Sequence, residues 1–321
     1  MLAREIIQRV REIQIHSGRQ VADVLAGQYV SVFKGRGIEF DEVRPYVPGD
    51  DVRIIDWNVT ARTGEPFVKR FVEERQLTLM LMADVSASQD FGSANRSKRE
   101  ATAELCALLA FSATRNDDKV GLTLFHGGIE QYIPARKGQK HSLRVVREVL
   151  AHGTVKTPTQ AVSAKPRRRW LPFGRRRTWW RAGRQSTHIA GAMEFLMSVT
   201  SRKTVCFVVS DFWDDRFIKA MQSANRKHDV IAVLVTDPRE TEIPNVGLVS
   251  LADPESGRVA RYDTGSTTFR QQVAQTSSKR IETLRHTFQS SNIDFIHIDA
   301  SGSVVDPLVK FFRMRERRMR R

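Results

Sequence analysis

The sequence predicts a doubly wound α/β fold: a mostly parallel sheet with a small β-rich subdomain ahead of it. Three observations carry that prediction. Apolar runs of strand length, such as Leu77 to Ala83 and Thr204 to Ser210, lack polar alternation, as in strands covered on both faces. Segments with helical spacing of apolar residues separate them. Both of these runs end in a carboxylate, Asp84 and Asp211, where an open α/β sheet places its ligands.

In chain order, residues 1–29 form the first unit, with an amphipathic helix expected over 2–15 because Leu2, Ile6, Val10 and Ile13 share one side. Residues 30–75 are expected to be the small subdomain, since short alternating runs are broken by Pro48-Gly49 and Thr63-Gly64. Its many Arg, Asp and Glu residues read as internal ion pairs and Asp-capped turns; a binding site is the less favoured alternative. The main domain spans 76–313. Ser97-Lys98-Arg99-Glu100 is a capping box opening a helix over about 101–114. A strand from Val120 to Phe125 turns at Gly127-Gly128 into an antiparallel edge strand, Ile129 to Ile133. A helix over 140–151 is expected to turn Leu143, Val146, Val149 and Leu150 inward. Thr187 opens a helix to about Thr200, and another helix runs to about Lys227. A strand follows from Val230 to Val235, then a hairpin near 247–251 and 258–262, a long helix over 266–290, a strand from Ile293 to Ile298 and a helix over 304–313. Residues 314–321 read as a basic tail.

The formal charge of +16 is concentrated in two places. Residues 165–184 hold nine Lys/Arg and no acid, and residues 310–321 carry a net of six, so the rest is nearly neutral. A basic nucleic-acid face across the folded domain is therefore not expected. Residues 154–185 read as a mobile basic insertion of Pro, Gly, Arg and Trp without periodicity. Within it Arg167, Arg168, Arg169, Arg175, Arg176, Arg177, Trp179 and Trp180 match what stacks bases and neutralises phosphates, or sits at an anionic membrane surface. A solvated loop is the equal alternative. Cys106 and Cys206 read as core residues rather than a disulfide or metal pair. No stretch nears the ~20 apolar residues that span a bilayer, so the expected location is cytoplasmic, with membrane-peripheral contact through the insertion as an option.

Asp84, Ser86 and Ser88 stand at alternate positions after a buried strand, Thr187 at a helix entrance, and Asp211 after a second strand. All are hard oxygen donors. Two carboxylates with hydroxyls suit Mg²⁺, with Mn²⁺ or Ca²⁺ as further options, whereas Zn²⁺ would ask for Cys or His. The competing reading is structural: Thr187 caps its helix, the two carboxylates bond nearby backbone and the serines fill a turn. The metal reading is preferred because the donors converge on strand ends.

That constellation resembles the metal-ion-dependent adhesion site of von Willebrand factor type A domains, which implies that Asp84, Ser86, Ser88, Thr187 and Asp211 hold Mg²⁺ directly or through water. The upstream run Gly35-Arg36-Gly37, Glu39-Phe40-Asp41-Glu42-Val43-Arg44-Pro45-Tyr46, Pro48-Gly49-Asp50-Asp51-Val52-Arg53, Ile55-Asp56-Trp57 and Thr60-Ala61-Arg62 sharpens it. With that run the chain resembles the bacterial family called domain of unknown function 58 from about residue 30 to 312. The resemblance implies a von Willebrand A-like, Rossmann-like sheet and an adaptor role beside a MoxR-type AAA+ ATPase in complex assembly or metal-centre maturation. The chain departs from the family in lacking the membrane helices of some relatives and in inserting the Arg/Trp-rich loop before Thr187. A non-enzymatic, metal-dependent binding module is thus expected. A phosphohydrolase with Asp84 as nucleophile is disfavoured, because that chemistry wants a second carboxylate where Ser86 stands.

Overall fold

The computed structural model describes residues 39–72, 76–94, 96–152, 187–214, 216–252 and 259–319. The expected N-terminal helix and the whole basic insertion, with its Arg167 to Trp180 candidates, lie outside the described residues.

The centre is a six-stranded sheet made of β3 (Thr78–Asp84), β4 (Lys119–Phe125), β5 (Ile129–Arg136), β6 (Val205–Ser210), β7 (Asp229–Thr236) and β10 (Asp294–Asp299). Its order is β10-β7-β6-β3-β4-β5, with every pairing parallel except the edge pair β4–β5. This is a mixed α/β architecture with a mostly parallel sheet.

Side-chain alternation explains why the strands read as unbroken apolar runs. In β3, Leu79, Leu81 and Ala83 enter one core while Met80 and Met82 enter the other, and β6 divides Phe207 and Val209 from Cys206 and Val208 in the same way. The first core is closed by α2 (Lys98–Arg115), α3 (Gln139–Ala151) and α8 (Val305–Met319). The second is closed by α4 (Ile189–Val199), α5 (Phe217–Asn225) and α7 (Thr267–Ser290). Each fully buried Leu, Phe or Met contributes roughly 1.5–3 kcal/mol relative to exposure, so the central strands are the most strongly held part of the chain. Cys106 and Cys206 are buried free thiols among these residues, as expected.

Several elements differ from expectation in detail. In α3 the inward residues are Val145, Val146, Val149 and Leu150, and Leu143 is only half-buried. The helix after Thr187 starts two residues later than the Thr, at Ile189. The last helix continues to Met319, so Arg315, Arg317 and Arg318 belong to it and not to a separate tail: Arg315 pairs with Asp229 and Arg318 with Asp294. Arg315 thus ties the helix to β7, while Arg317 and Arg318 stay exposed.

Ahead of the sheet, β1 (Glu39–Pro45) and β2 (Phe67–Val72) form an antiparallel pair. Between them the chain makes a helix, α1 (Trp57–Thr63), where only strands and turns were expected. Asp56 caps it by accepting from the amides of Asn58 and Val59, and Gly64 ends it at φ +81°, a conformation open to glycine. The expected internal pairing is present: Arg44 and Asp50 form a two-pronged ion pair at 2.7 Å, and Asp51 caps the next turn through the Arg53 amide. A second hairpin, β8 (Leu248–Ala252) with β9 (Val259–Asp263), lies in its own two-stranded sheet. Among the described residues no helix is long and apolar enough to cross a membrane.

Candidate functional site

From β3 the chain moves outward to β4 and β5, and after the insertion it returns to the other side of β3 as β6. The direction of winding therefore reverses between β3 and β6. Two neighbouring parallel strands that lead their connections to opposite sides leave a crevice at their carboxyl ends, the usual ligand position of open α/β sheets. Asp84 ends β3 and Asp211 directly follows β6, so the crevice is lined by carboxylates.

The register Ala83–Val209 sets Asp84 abreast of Ser210, whose hydroxyl donates to Asp84 Oδ2 at 2.6 Å. Asp84 Oδ1 accepts from the Ser86 amide at 2.9 Å, which folds the loop after β3 back over the strand end. Ser86 and Ser88 hydroxyls meet at 2.9 Å, and Ser88 Oγ donates to Asp211 Oδ2 at 2.7 Å. Thr187 Oγ1 donates to Asp84 Oδ2 at 3.2 Å. All five residues singled out in the sequence thus stand in one hydrogen-bonded cluster. Thr187 is not the cap of α4: His188 holds that position, its side chain exposed and making no capping bond.

The backbone around Asp211 is fixed from three sides. Phe212, buried against Phe217 and Phe288, adopts the left-handed conformation at φ +55°, a strained choice for a bulky residue. Its amide bonds Ser210 Oγ at 3.2 Å. Arg280, from α7, donates to the Asp211 carbonyl and lies 3.8 Å over the Trp213 ring.

Two cationic residues at the start of α2 complete the electrostatics. Lys98, only 1 % exposed, places Nζ 3.3 Å from Asp211 Oδ2 and 2.6 Å from Glu240 Oε1. Glu240 belongs to the single-turn helix α6 (Pro238–Thr241). Arg99 pairs with Asp90 at 2.6 Å and keeps buried Nε and Nη1 without partners.

A match to the family model described as "Protein of unknown function DUF58" covers residues 42–283, three-quarters of the chain and all of this site. The chain belongs to the DUF58 family. The uncharacterized protein Rv1480 of Mycobacterium tuberculosis is 32 % identical over 254 residues, covering 79 % of this chain and 72 % of that one. The uncharacterized protein MAV169 of Mycobacterium avium is 25 % identical over 130 residues, covering 40 % of this chain and 76 % of its own. Among solved structures, the conserved hypothetical protein BatB of Bacteroides thetaiotaomicron aligns with a TM-score of 0.41 at 16 % identity, over 75 % of this chain and 99 % of that one. Likeness at that level bears on neither fold nor function.

In this DUF58 chain Asp84 is nearly sequestered from solvent. Burial, and then the neighbouring Asp211 charge, push its carboxyl up to about 6, against the opposing pull of the Ser210 and Ser86 hydrogen bonds. A buried anion that resists ionisation is one that a cation would relieve. Asp211 carries the complementary sign of incompleteness: its Oδ1 is buried and has no hydrogen-bond partner among the described residues. Orphaned buried carboxylate oxygens are costly and rare in folded proteins. The donors around the crevice are carboxylate and hydroxyl oxygens alone, which suits a hard divalent cation. Among the described residues no three His, Cys, Asp or Glu cluster as a metal site, in keeping with a set whose acids number two.

Sequence reasoning did not single out Ser210, Lys98, Glu240 or Arg280. Ser210 closes an apolar run and carried the best signal, since it directly precedes Asp211.

Proposed function

We propose that this protein is a non-enzymatic, Mg²⁺-dependent protein-binding adaptor. Its main domain is read as von Willebrand A-like, and its partner as a MoxR-type AAA+ ATPase with which it works in complex assembly or maturation. The observation that carries the reading is the crevice between β3 and β6, where Asp84 and Asp211 meet three hydroxyls and Asp211 Oδ1 stands buried and unpartnered. Asp84, Ser86, Ser88, Thr187 and Asp211 would hold the ion. Bound there, Mg²⁺ supplies an electrophilic position that accepts a carboxylate from outside.

The residues themselves supply the rest of the recognition. Ser88, Thr187 and Ser210 hold the two carboxylates through neutral hydroxyls and Ser86 holds Asp84 through its amide, so the site keeps a low negative charge. Phe91, 46 % exposed, follows the Ser88 loop, and Trp213, 67 % exposed, follows Asp211. Aromatic side chains flanking a polar centre are the residue types that dominate protein interfaces. A phosphoryl-transfer reading has less support. The residue two positions after Asp84 is Ser86, whose amide and hydroxyl bond within the cluster, so a hydroxyl stands where that chemistry wants the acid that protonates a leaving group.

The reading is tested by measuring binding to a MoxR-type ATPase from the same source, with Mg²⁺ and with chelator, for wild type and Asp84→Ala. Binding that requires both the metal and Asp84 is expected. Binding indifferent to both would overturn it.

A further inference from the structure

Lys98 is an unusual occupant of its position. It is the first residue of α2, where a positive charge opposes the helix dipole, and it is buried, where an ammonium is costly unless paired. Ser97 caps the helix with Glu100, so the lysine is not needed to start it. What its side chain does is reach across the sheet's carboxyl end and divide itself between two acids, Asp211 at 3.3 Å and Glu240 at 2.6 Å. One of the two is a proposed metal residue. The other is held apart by its own helix: Glu240 Oε2 accepts from the Asp237 amide at 3.4 Å, within the capping box of α6.

We infer that Lys98 is a built-in counter-ion that competes with the divalent metal for Asp211, and that Glu240 receives the lysine when the metal arrives. The inference rests on the metal reading above and adds a regulator to it. With no metal the ammonium balances Asp211, which keeps the crevice compact despite two acids in one buried cluster. When a divalent cation approaches, Lys98 is a positive charge beside it and lowers its affinity. Glu240 offers the ammonium a place that is not in conflict with the metal, being 31 % exposed at its side chain and the nearer of the two acids already. A partner's carboxylate brought to the metal adds the negative charge that Lys98 withholds. Metal and partner binding are thereby coupled, each strengthening the other.

The two ends of the switch predict opposite effects. Removing the ammonium with Lys98→Met, which keeps its volume, should tighten metal binding at least tenfold. Glu240→Gln leaves Lys98 with Asp211 alone and should weaken metal binding at least threefold, while a Gln oxygen still completes the α6 cap. Lys98→Arg keeps the charge and should bind no more tightly than wild type. A merely structural role for this ion triad would move the first two variants in the same direction. The experiment is a Mn²⁺ titration of the full chain, followed by the loss of the free-ion electron paramagnetic resonance signal, for wild type and the three variants. Wild-type binding with an unchanged or weaker Lys98→Met would overturn the inference and leave the metal reading standing. Binding by Lys98→Met alone would support both. No binding by any variant would overturn both. Should Lys98→Met fail to fold, Glu240→Gln decides: weaker binding supports the competition, and equal or tighter binding overturns it.

Discussion

Ser88 Oγ donates to Asp211 Oδ2 at 2.7 Å, joining the loop after one central strand to the end of its neighbour across 123 positions of sequence. Ser88→Ala removes the donor and leaves Asp211 Oδ2 to Lys98 alone. The expected result is a loss of about 1–3 kcal/mol in denaturant unfolding without metal, the range for removing one hydrogen bond from a charged acceptor that keeps another partner, together with weaker Mn²⁺ binding by titration. An unchanged stability would mean that water replaces the serine freely.

Asp84 sets a pH dependence whose sign is opposite to that of a salt-bridged acid. Its carboxyl is pushed up to about 6 in the folded protein, mainly by burial, against an ordinary value of 3.8 in the unfolded chain. Between those values the folded state binds more protons, so metal-free stability is highest below the unfolded value and falls as pH rises through this window. Asp84→Asn mimics the protonated acid. At pH 7 without metal it should unfold later than wild type by an amount of order 1–3 kcal/mol, and the gap should close towards pH 4. The same carboxyl must ionise to hold a cation, so Mn²⁺ affinity of wild type should fall as pH drops below about 6, and Asp84→Asn should not bind. A stability gap independent of pH would show that Asp84 is not the titrating group.

Asp211→Ala should do the reverse to stability. Its carboxylate balances an ammonium that is 1 % exposed, and stripping one partner from a buried pair costs roughly 3–5 kcal/mol. Calorimetry should show a lower melting temperature for Asp211→Ala and a partial recovery in the double variant Lys98→Met/Asp211→Ala, because the two residues are in contact and their effects do not add. Strictly additive losses would show that Lys98 leans on Glu240 alone. Two acids of the same crevice are thus expected to differ in sign when neutralised, one relieved by the change and the other missed by its partner.

The contrast between these residues explains what the sequence made legible. Asp84, Ser86 and Ser88 were visible because a strand buried on both faces must be apolar throughout, so the first polar residues after Ala83 mark where the sheet meets solvent. Asp211 was visible for the same reason. Thr187 was visible as a hydroxyl at a helix entrance; in the structure it bonds Asp84 and does not cap α4, so the competing capping reading does not hold. Lys98 was hidden by its context: within a capping box a lysine reads as a first-turn surface residue, and only the packing of α2 on β3, β4 and β7 turns it inward, towards Asp211 and Glu240. Arg280 was hidden in the middle of a 24-residue helix that is mostly polar. The helix α1 was missed although Asp56 and Gly64 are sound end signals, because its seven residues include Trp, Asn, Val and two Thr, all weaker helix formers than Ala or Leu.

Trp213 tests the interface apart from the metal. It sits two residues beyond Asp211, yet its ring is 67 % exposed and touches the site through Arg280, whose guanidinium lies 3.8 Å over it. Stacking against an exposed ring contributes about 0.5–1 kcal/mol, so Trp213→Ala should lower stability by no more than that. Arg280 keeps its bond to the Asp211 carbonyl in this variant, and the five oxygen donors keep their partners, so Mn²⁺ affinity should be unchanged. A large exposed aromatic beside a recognition centre is, by contrast, a frequent anchor whose truncation costs 2 kcal/mol or more of binding. Surface plasmon resonance with the proposed ATPase partner at saturating Mg²⁺ should therefore show affinity reduced about tenfold or more, carried by faster dissociation. Loss of metal binding in Trp213→Ala would place the ring in the support of the crevice instead. Retention of both affinities would move the contact surface to the Phe91 side of the site.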